Sequence, residues 1–313
     1  VVDASGDQKK DVESVCEQTS KKYNKDIIFL NIEKGNSSAQ RNIGLSYVEE
    51  EVIAFPDDDS LWYHDTAENF MKPYMDPAFS YVGGVNNVEV DKSPLAIPGT
   101  IKKSAFQTFK QKVGRPRRFI ENALFPSSFD VHARYLYSQS EADLEAYNRA
   151  YSVAETLGGF RMTFRRRAIR EVGFDETLGS VVGYAQHEDK DAALAIINNG
   201  WIILGVKSAR VYHNNYPAKR GSGGFNYGFF QIFNYAYICR RRIDASSPAS
   251  SKTMPFLRHK IRLYTLLQLD PYGRQVLQGA KAALSECPKL WSIPDSELEQ
   301  AYADICGRHV TSP

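Results

Sequence analysis

The 313-residue sequence predicts an α/β fold, a mostly parallel sheet flanked by helices, followed by a helical C-terminal extension. Three observations predict it. Short apolar runs alternate with helix-like segments over residues 1–90, the pattern of strands joined by crossover helices. Acids follow the ends of two of those runs, at Asp3 and at Asp57, Asp58 and Asp59. The last hundred residues read mainly as helix.

In chain order, Val1-Val2-Asp3 reads as the end of a strand and Ser5-Gly6-Asp7 as the turn after it. A polar, Lys-rich helix covers roughly 9–23, and Ile27 to Ile32 is the next strand. Gly35-Asn36-Ser37-Ser38 carries turn and cap chemistry ahead of a helix over 38–49 with Arg41 and Asn42. Val52-Ile53-Ala54-Phe55 is apolar and β-branched at its start, which suits a buried strand. Pro56 ends that ladder because it has no N–H to donate. A helix over about 61–75, ended by Pro73 and Pro77, and an alternating strand over 79–90 follow. Residues 91–150 hold Pro94, Pro98, Pro116 and Pro126 with many aromatics, and read as loops and short helices, with a helix over 139–150. Regular structure resumes at Leu157-Gly158-Gly159-Phe160-Arg161, then a helix through Ile169. A helix over 189–199 stops at Asn199-Gly200, and strands follow at Trp201–Val206 and Val211–His213.

Composition bounds the function. Hydrophobic residues make up 42% and charged residues 24%, ordinary for a globular protein. A net charge of +2 gives no pull toward nucleic acid as a polymer. Basic work is therefore local, as in Arg115-Pro116-Arg117-Arg118, Arg165-Arg166-Arg167 and Arg240-Arg241-Arg242. Cys16, Cys239, Cys287 and Cys306 show no metal spacing and read as reduced thiols of a cytosolic protein. No apolar run reaches the ~18 residues of a spanning helix. Phe225, Phe229, Phe233 and Tyr237 recur every four positions. That stripe either packs on the main domain or rests on an anionic membrane as a peripheral contact.

Residues 57–59 admit two readings. Side chains two apart share a face of an extended segment, so Asp57 and Asp59 converge while Asp58 points away. Two converging carboxylates repel unless a hard divalent cation neutralises them. Alternatively Asp58, Asp59 or Ser60 caps the helix expected from Leu61.

Four features stand in order: VVDASGD, SSAQRNIG, AFPDDDS, and GGFRMTFRR with GYAQHEDKDAAL and YHNN behind it. This order resembles the family 2 glycosyltransferases of the GT-A fold over roughly residues 1–215, leaving 216–313 as the helical extension. The resemblance implies an inverting, metal-dependent enzyme using a nucleotide-sugar donor, UDP-sugar favoured and dTDP- or GDP-sugar open, with Mn²⁺ or Mg²⁺ as cofactor. The acceptor would be a glycan or lipid-linked sugar, in surface polysaccharide synthesis, at the inner face of the membrane.

Residue by residue, the resemblance places Asp3 at the nucleotide base or ribose and Arg41 near the donor. Asp57 and Asp59 take the DxD metal positions, with Asp58 on the donor side. Gly158 and Gly159 face the donor sugar, where glycine lets backbone approach closely. Asp189 is the expected catalytic base with Glu188 as its understudy, and His213 the expected third metal ligand. Locally, Glu188, Asp189 and Asp191 also read as acids favoured at a helix N-terminus. His213 also reads as a strand-end polar residue, Arg41 as a helix ion-pair partner, Asp3 as a turn former, and Arg165–Arg167 as a solvated helix face rather than a phosphate clamp. A metal-dependent nucleotidyltransferase and a silent nucleotide- or glycan-binding homologue are the rivals. The family's usual first strand has no counterpart before Val1, so an unpaired ladder edge beside residues 1–4 is expected.

Overall fold

A computed structural model of the chain describes residues 1–33, 35–95, 124–181, 185–214, 223–265 and 271–310. The Pro98 and Pro116 segment, with Arg115, Arg117 and Arg118, lies outside them.

The described strands form two sheets. β1 (Val2–Asp3) pairs in parallel with β2 (Leu30–Asn31), and β1 has no second described partner. The larger sheet runs in the order β3 (Val52–Pro56), β7 (Arg161–Arg165), β5 (Val82–Glu89), β8 (Ile202–His213), β4 (Ser60–Trp62). β6 (Ser152–Ala154) pairs with β8. The class is the expected α/β, but the pairing is mixed rather than mostly parallel. β5–β8 is parallel, whereas β3–β7, β5–β7, β4–β8 and β6–β8 are antiparallel. The strands read as two over 201–206 and 211–213 form one long β8, kept continuous by a register shift opposite Asn87 and Val88.

Helices α1 (Lys9–Tyr23), α2 (Ser37–Tyr47), α3 (Thr66–Met75), α4 (Ser128–Tyr137), α5 (Leu144–Ala150), α6 (Arg166–Arg170) and α7 (Glu188–Asn198) accompany these strands. Asn36 caps α2, its Oδ1 accepting the Ala39 amide at 3.0 Å. Gly200, at φ +84°, closes α7 by donating its amide to the Ile197 carbonyl at 3.0 Å. Pro73 sits inside α3, which ends at Met75.

Two sequence expectations change. No helix starts at Leu61: residues 60–62 are a strand, and the acids occupy the tight turn between β3 and β4. Ser60 closes that turn, donating its amide (3.0 Å) and hydroxyl (2.7 Å) to the Asp57 carbonyl. The helix-cap reading of Asp58, Asp59 and Ser60 therefore falls. Arg165 is also not on a solvated helix face. It ends β7 buried, donating to Val82 O (3.0 Å), Tyr74 O (3.1 Å) and the Glu51 carboxylate.

One apolar core lies along the large sheet, built from Val82, Val85, Met162, Phe164, Ile203 and their neighbours. A second gathers α8 (Gly223–Arg242), α9 (Thr253–Thr265), α10 (Pro271–Leu290) and α11 (Leu298–His309). Phe229, Phe233 and Tyr237 of the aromatic stripe are buried here, Phe233 and Tyr237 lying 5.5 and 4.7 Å from the Tyr302 ring. This face is covered by helices of the chain itself, so it is not a membrane face. α8 and α10 touch backbone to backbone. A methyl group on Gly279 would overlap the Phe225 carbonyl, and one on Gly228 the Val276 carbonyl. Among the described residues no helix is long and apolar enough to cross a membrane, and all four cysteines are free and buried.

Candidate active site

Antiparallel pairing brings three chain segments to one end of the strands of the large sheet, and Arg41 ties in a fourth. Pro56 at the end of β3 lies opposite Arg161 at the start of β7, so the 57–59 turn and the Gly158-Gly159-Phe160 loop are neighbours. Ser60 lies opposite His213, and the Asn214 amide donates to the Asp59 carbonyl at 2.8 Å. The N-terminus of α7 reaches the same place through Arg41. Its guanidinium donates from Nη2 to Asp57 Oδ1 (3.0 Å) and from Nη1 to Glu188 Oε1 (2.7 Å). Residues 147 positions apart are thus tied by a charge-assisted hydrogen bond.

Of the expected residues, Arg41, Asp57, Asp59, Gly158, Gly159, Glu188, Asp189 and His213 surround this cleft. His213 Nε2 lies 3.1 Å from Asp59 Oδ2, and its ring stacks on Phe160 with centroids 4.3 Å apart. Asp189 Oδ2 accepts the Gly159 amide at 3.0 Å, and Oδ1 accepts the Lys190 amide at 2.9 Å. A Cβ on Gly159 would stand 3.6–3.9 Å from Arg41, Asp57 and Glu188, so this backbone faces the centre of the acids. Gly158 packs directly on Arg161, where a Cβ would come within 2.8 Å of Nε.

Asp3 stands apart. Its carboxylate accepts the Ser5 amide and the Asn31 side chain, both at 3.2 Å. Beside it, a cavity of about 810 Å³ opens between Ala4, Glu33, Asn36, Ala39 and the α11 residues Glu299 and Ala303. None of Asp57, Asp59, Glu188 and Asp189 lines that cavity. Ala39 is two positions before Arg41 on α2, so the helix joins the cavity to the acids. Asp58 makes no contact that distinguishes it from a turn residue.

The electrostatics favour an added cation. Burial pushes the Asp57 carboxyl above its ordinary value despite Arg41, and Asp59 adds to the rise. Burial, then Asp189, lifts Glu188 to about 7 against the pull of Arg41. Burial opposes the charge on Arg41, but Glu188 and Asp57 together hold its pKa above the ordinary value. Among the described residues no group of three or more His, Cys, Asp or Glu side chains is arranged to hold a metal ion. The donor types do fit a hard divalent ion held by one or two carboxylates, with the remaining positions left to phosphate oxygens and water. Asp57 and Asp59 would supply the carboxylates, while the His213 imidazole is already paired with Asp59.

Sequence reasoning named the GGFRM stretch but not the parts played by Phe160 and Arg161. Phe160 walls the His213 ring, and the Arg161 guanidinium lies 5.3 Å over the Phe160 ring. Arg161 Nε is buried with no hydrogen-bond partner among the described residues. Burial lowers the Arg161 pKa, while Glu89 and Asp189 raise it. Its place in the motif was the available signal.

The raised Glu188 has a consequence for stability. The folded state keeps this proton where the unfolded chain has lost it, so the favourable contribution is full below the unfolded value of 4.5 and is lost as pH rises through about 7. Comparing urea midpoints of the wild type and Glu188→Gln, the wild type should lose ground steadily between about pH 5 and about pH 8. A constant difference across that window would contradict a raised Glu188.

Residues 1–134 match the model of glycosyl transferase family 2. No curated protein matches the chain. Among solved structures, the mannosyltransferase PcManGT from Pyrobaculum calidifontis, in complex with GDP-Man and Mn²⁺, superposes with a TM-score of 0.50 at 18% identity, covering 98% of this chain and 70% of that one. TarS 1-349 of S. aureus, in complex with UDP-GlcNAc, gives a TM-score of 0.50 at 12% identity, covering 98% and 81%. The shared fold is GT-A.

Proposed function

For a chain whose residues 1–134 match the glycosyl transferase family 2 model and that folds as GT-A, we propose inverting sugar transfer from a nucleotide-diphosphate donor to a glycan or lipid-linked acceptor. The observation that carries this reading is the meeting of two acid pairs, Asp57 with Asp59 and Glu188 with Asp189, around Arg41 and the Gly159 backbone. Residues 1–215 would hold the catalytic apparatus and 216–313 support it. Surface polysaccharide assembly is the setting that suits such an activity.

Asp189 is the proposed base. It is partly exposed, unlike buried Glu188, and the Gly159 and Lys190 amides fix both carboxylate oxygens. A carboxylate so oriented can accept the proton of an acceptor hydroxyl as that oxygen attacks the anomeric carbon. Glu188 is already engaged by Arg41, so it positions rather than reacts. Arg41 ties the base-bearing helix to the acid turn and places positive charge near the diphosphate. A divalent cation on Asp57 and Asp59, when bound, supplies Lewis-acid stabilisation of the leaving diphosphate. His213, held flat by Phe160, closes that side of the cleft.

Thermal shifts with UDP, GDP, dTDP and CMP compounds, with and without Mn²⁺, test the donor class. Stabilisation of about 2.7 kcal/mol is expected at a hundredfold excess over Kd for one base, and only with metal. A panel without any nucleotide-dependent shift would contradict the reading. The GDP-Man and UDP-GlcNAc of the two structural neighbours make GDP and UDP the first compounds to compare.

A further inference from the structure

One residue beyond the proposed base, the chain gathers two half-buried lysines around buried His187, a cluster that the transfer mechanism above does not use. Lys190 Nζ lies 3.0 Å from His187 Nδ1, and His187 Nε2 lies 3.3 Å from the Gln231 carbonyl. The ammonium donates to Nδ1 while Nε2–H donates to the carbonyl, which fixes a neutral imidazole. From α9, Lys260 Nζ comes 5.6 Å over the Tyr235 ring and 5.8 Å over Phe256, two rings stacked 4.8 Å apart. Tyr235 also meets the His187 ring edge-on at 6.3 Å.

The cluster lacks enough negative charge of its own. Among the described residues no carboxylate forms an ion pair with Lys190 or Lys260. Asp130 is the acid within electrostatic reach of Lys190, and burial with Glu155 nearby lifts it to about 6. Burial and Lys190 together lower Lys260 to about 7. Burial, Lys190 and Lys260 drive His187 well below its ordinary value. His187 is also held at φ 70°, a left-handed backbone that is strained for a non-glycine residue. Such strain persists where surrounding contacts impose it, and it clusters at ligand sites. The positive end of α7 adds to the same field.

We propose that Lys190 and Lys260, walled by His187 and Tyr235, bind a phosphate group carried by the acceptor. The word acceptor rests on the transfer reading above; the anion site does not. Two ammonium groups donating to a phosphate form charge-assisted hydrogen bonds, and the anion removes their mutual repulsion. A phosphate held here anchors the acceptor one residue along α7 from Asp189. The same chemistry belongs to a phosphate ester in a soluble acceptor and to a lipid phosphate.

Calorimetric titration of the full chain with inorganic phosphate at neutral pH, without nucleotide or metal, tests the site. Lys260→Met and Lys190→Met should each weaken phosphate binding by at least about tenfold, while Lys260→Met keeps nucleotide binding in the presence of Mn²⁺. Without phosphate, Lys260→Met should melt higher than the wild type, because a half-buried ammonium with no ion-paired carboxylate among the described residues is replaced by an apolar side chain. Should Lys260→Met fail to fold, Lys190→Met carries the comparison. Phosphate bound equally by wild type and both variants, or not bound by the wild type, overturns the proposal. Loss of nucleotide binding in the wild type would instead overturn the transfer reading and leave the phosphate result readable. Glycerol 3-phosphate and phosphatidate-containing vesicles separate the sources: tighter vesicle binding assigns the phosphate to a lipid carrier, and equal binding to a soluble acceptor.

Discussion

Asp189→Asn should lower kcat by about 10²–10⁴ while leaving donor affinity unchanged. The asparagine keeps the shape and its one oxygen can still accept the Gly159 amide that now bonds Asp189 Oδ2 at 3.0 Å, at the cost of the Lys190 amide that Oδ1 accepts at 2.9 Å. In the reaction itself it loses the capacity to take the hydroxyl proton, equivalent to about 3–5 kcal/mol of barrier. Steady-state transfer rates combined with calorimetry of the donor nucleotide measure both halves. A variant with wild-type kcat would remove Asp189 from the chemistry. Equal loss of kcat and donor affinity would mean that the residue organises the cleft rather than accepting a proton. A silent binding homologue would be indifferent to the change in both measurements.

Arg242→Met should destabilise the fold by about 3–5 kcal/mol. Asp191, in the first turn of α7, is fully buried, and both its oxygens accept from Arg242 at 2.7 Å. Removing the guanidinium leaves a buried carboxylate without its counter-charge, while burial already raises the Asp191 pKa. The bond joins the base-bearing helix to α8, so the C-terminal helices fix the position of the residues beside the cleft. Urea denaturation of Arg242→Met and of the double variant Asp191→Leu, Arg242→Met checks this. The double variant should recover most of the loss, since an apolar pair of similar volume is often neutral or better. If Arg242→Met unfolded at the wild-type midpoint, the pair would be dispensable.

The strand and helix succession was legible because burial imposes a period on the residues that form it. Val52 to Phe55, the α2 cap at Asn36 and the Gly200 stop all carry their signals within a few neighbouring positions. β4 was not legible, because Ser60-Leu61-Trp62 is too short to show alternation and becomes a strand only by pairing with the far end of β8. Arg165 was misread for a related reason. In a run of three arginines, local sequence does not reveal that the first ends a buried strand and satisfies carbonyls 83 and 91 positions away. The mixed pairing of the large sheet likewise depends on which strands become neighbours.

Within the cleft, the residue types were visible but not their partners. Asp57, Glu188 and Asp189 stood out as acids beside strand or helix ends. That Arg41 would bridge the first two, and that Gly159 would offer its amide to the third, follows only once the sheet brings the segments together. The Arg240–Arg242 run shows the same limit. Each arginine is paired within the chain: Arg240 donates to the Leu290 and Ile293 carbonyls, Arg241 to Asp175 and Arg242 to Asp191.

Crystals grown with Mn²⁺ and the nucleotide diphosphate selected by thermal shift give the most direct measurement, an anomalous difference map. A manganese peak is expected against the Asp57 and Asp59 carboxylates, with the diphosphate between it and Arg41 and the Asp189 carboxylate free on the opposite wall. Metal and nucleotide bound together anywhere else on the molecule would contradict sugar transfer at this end of the strands.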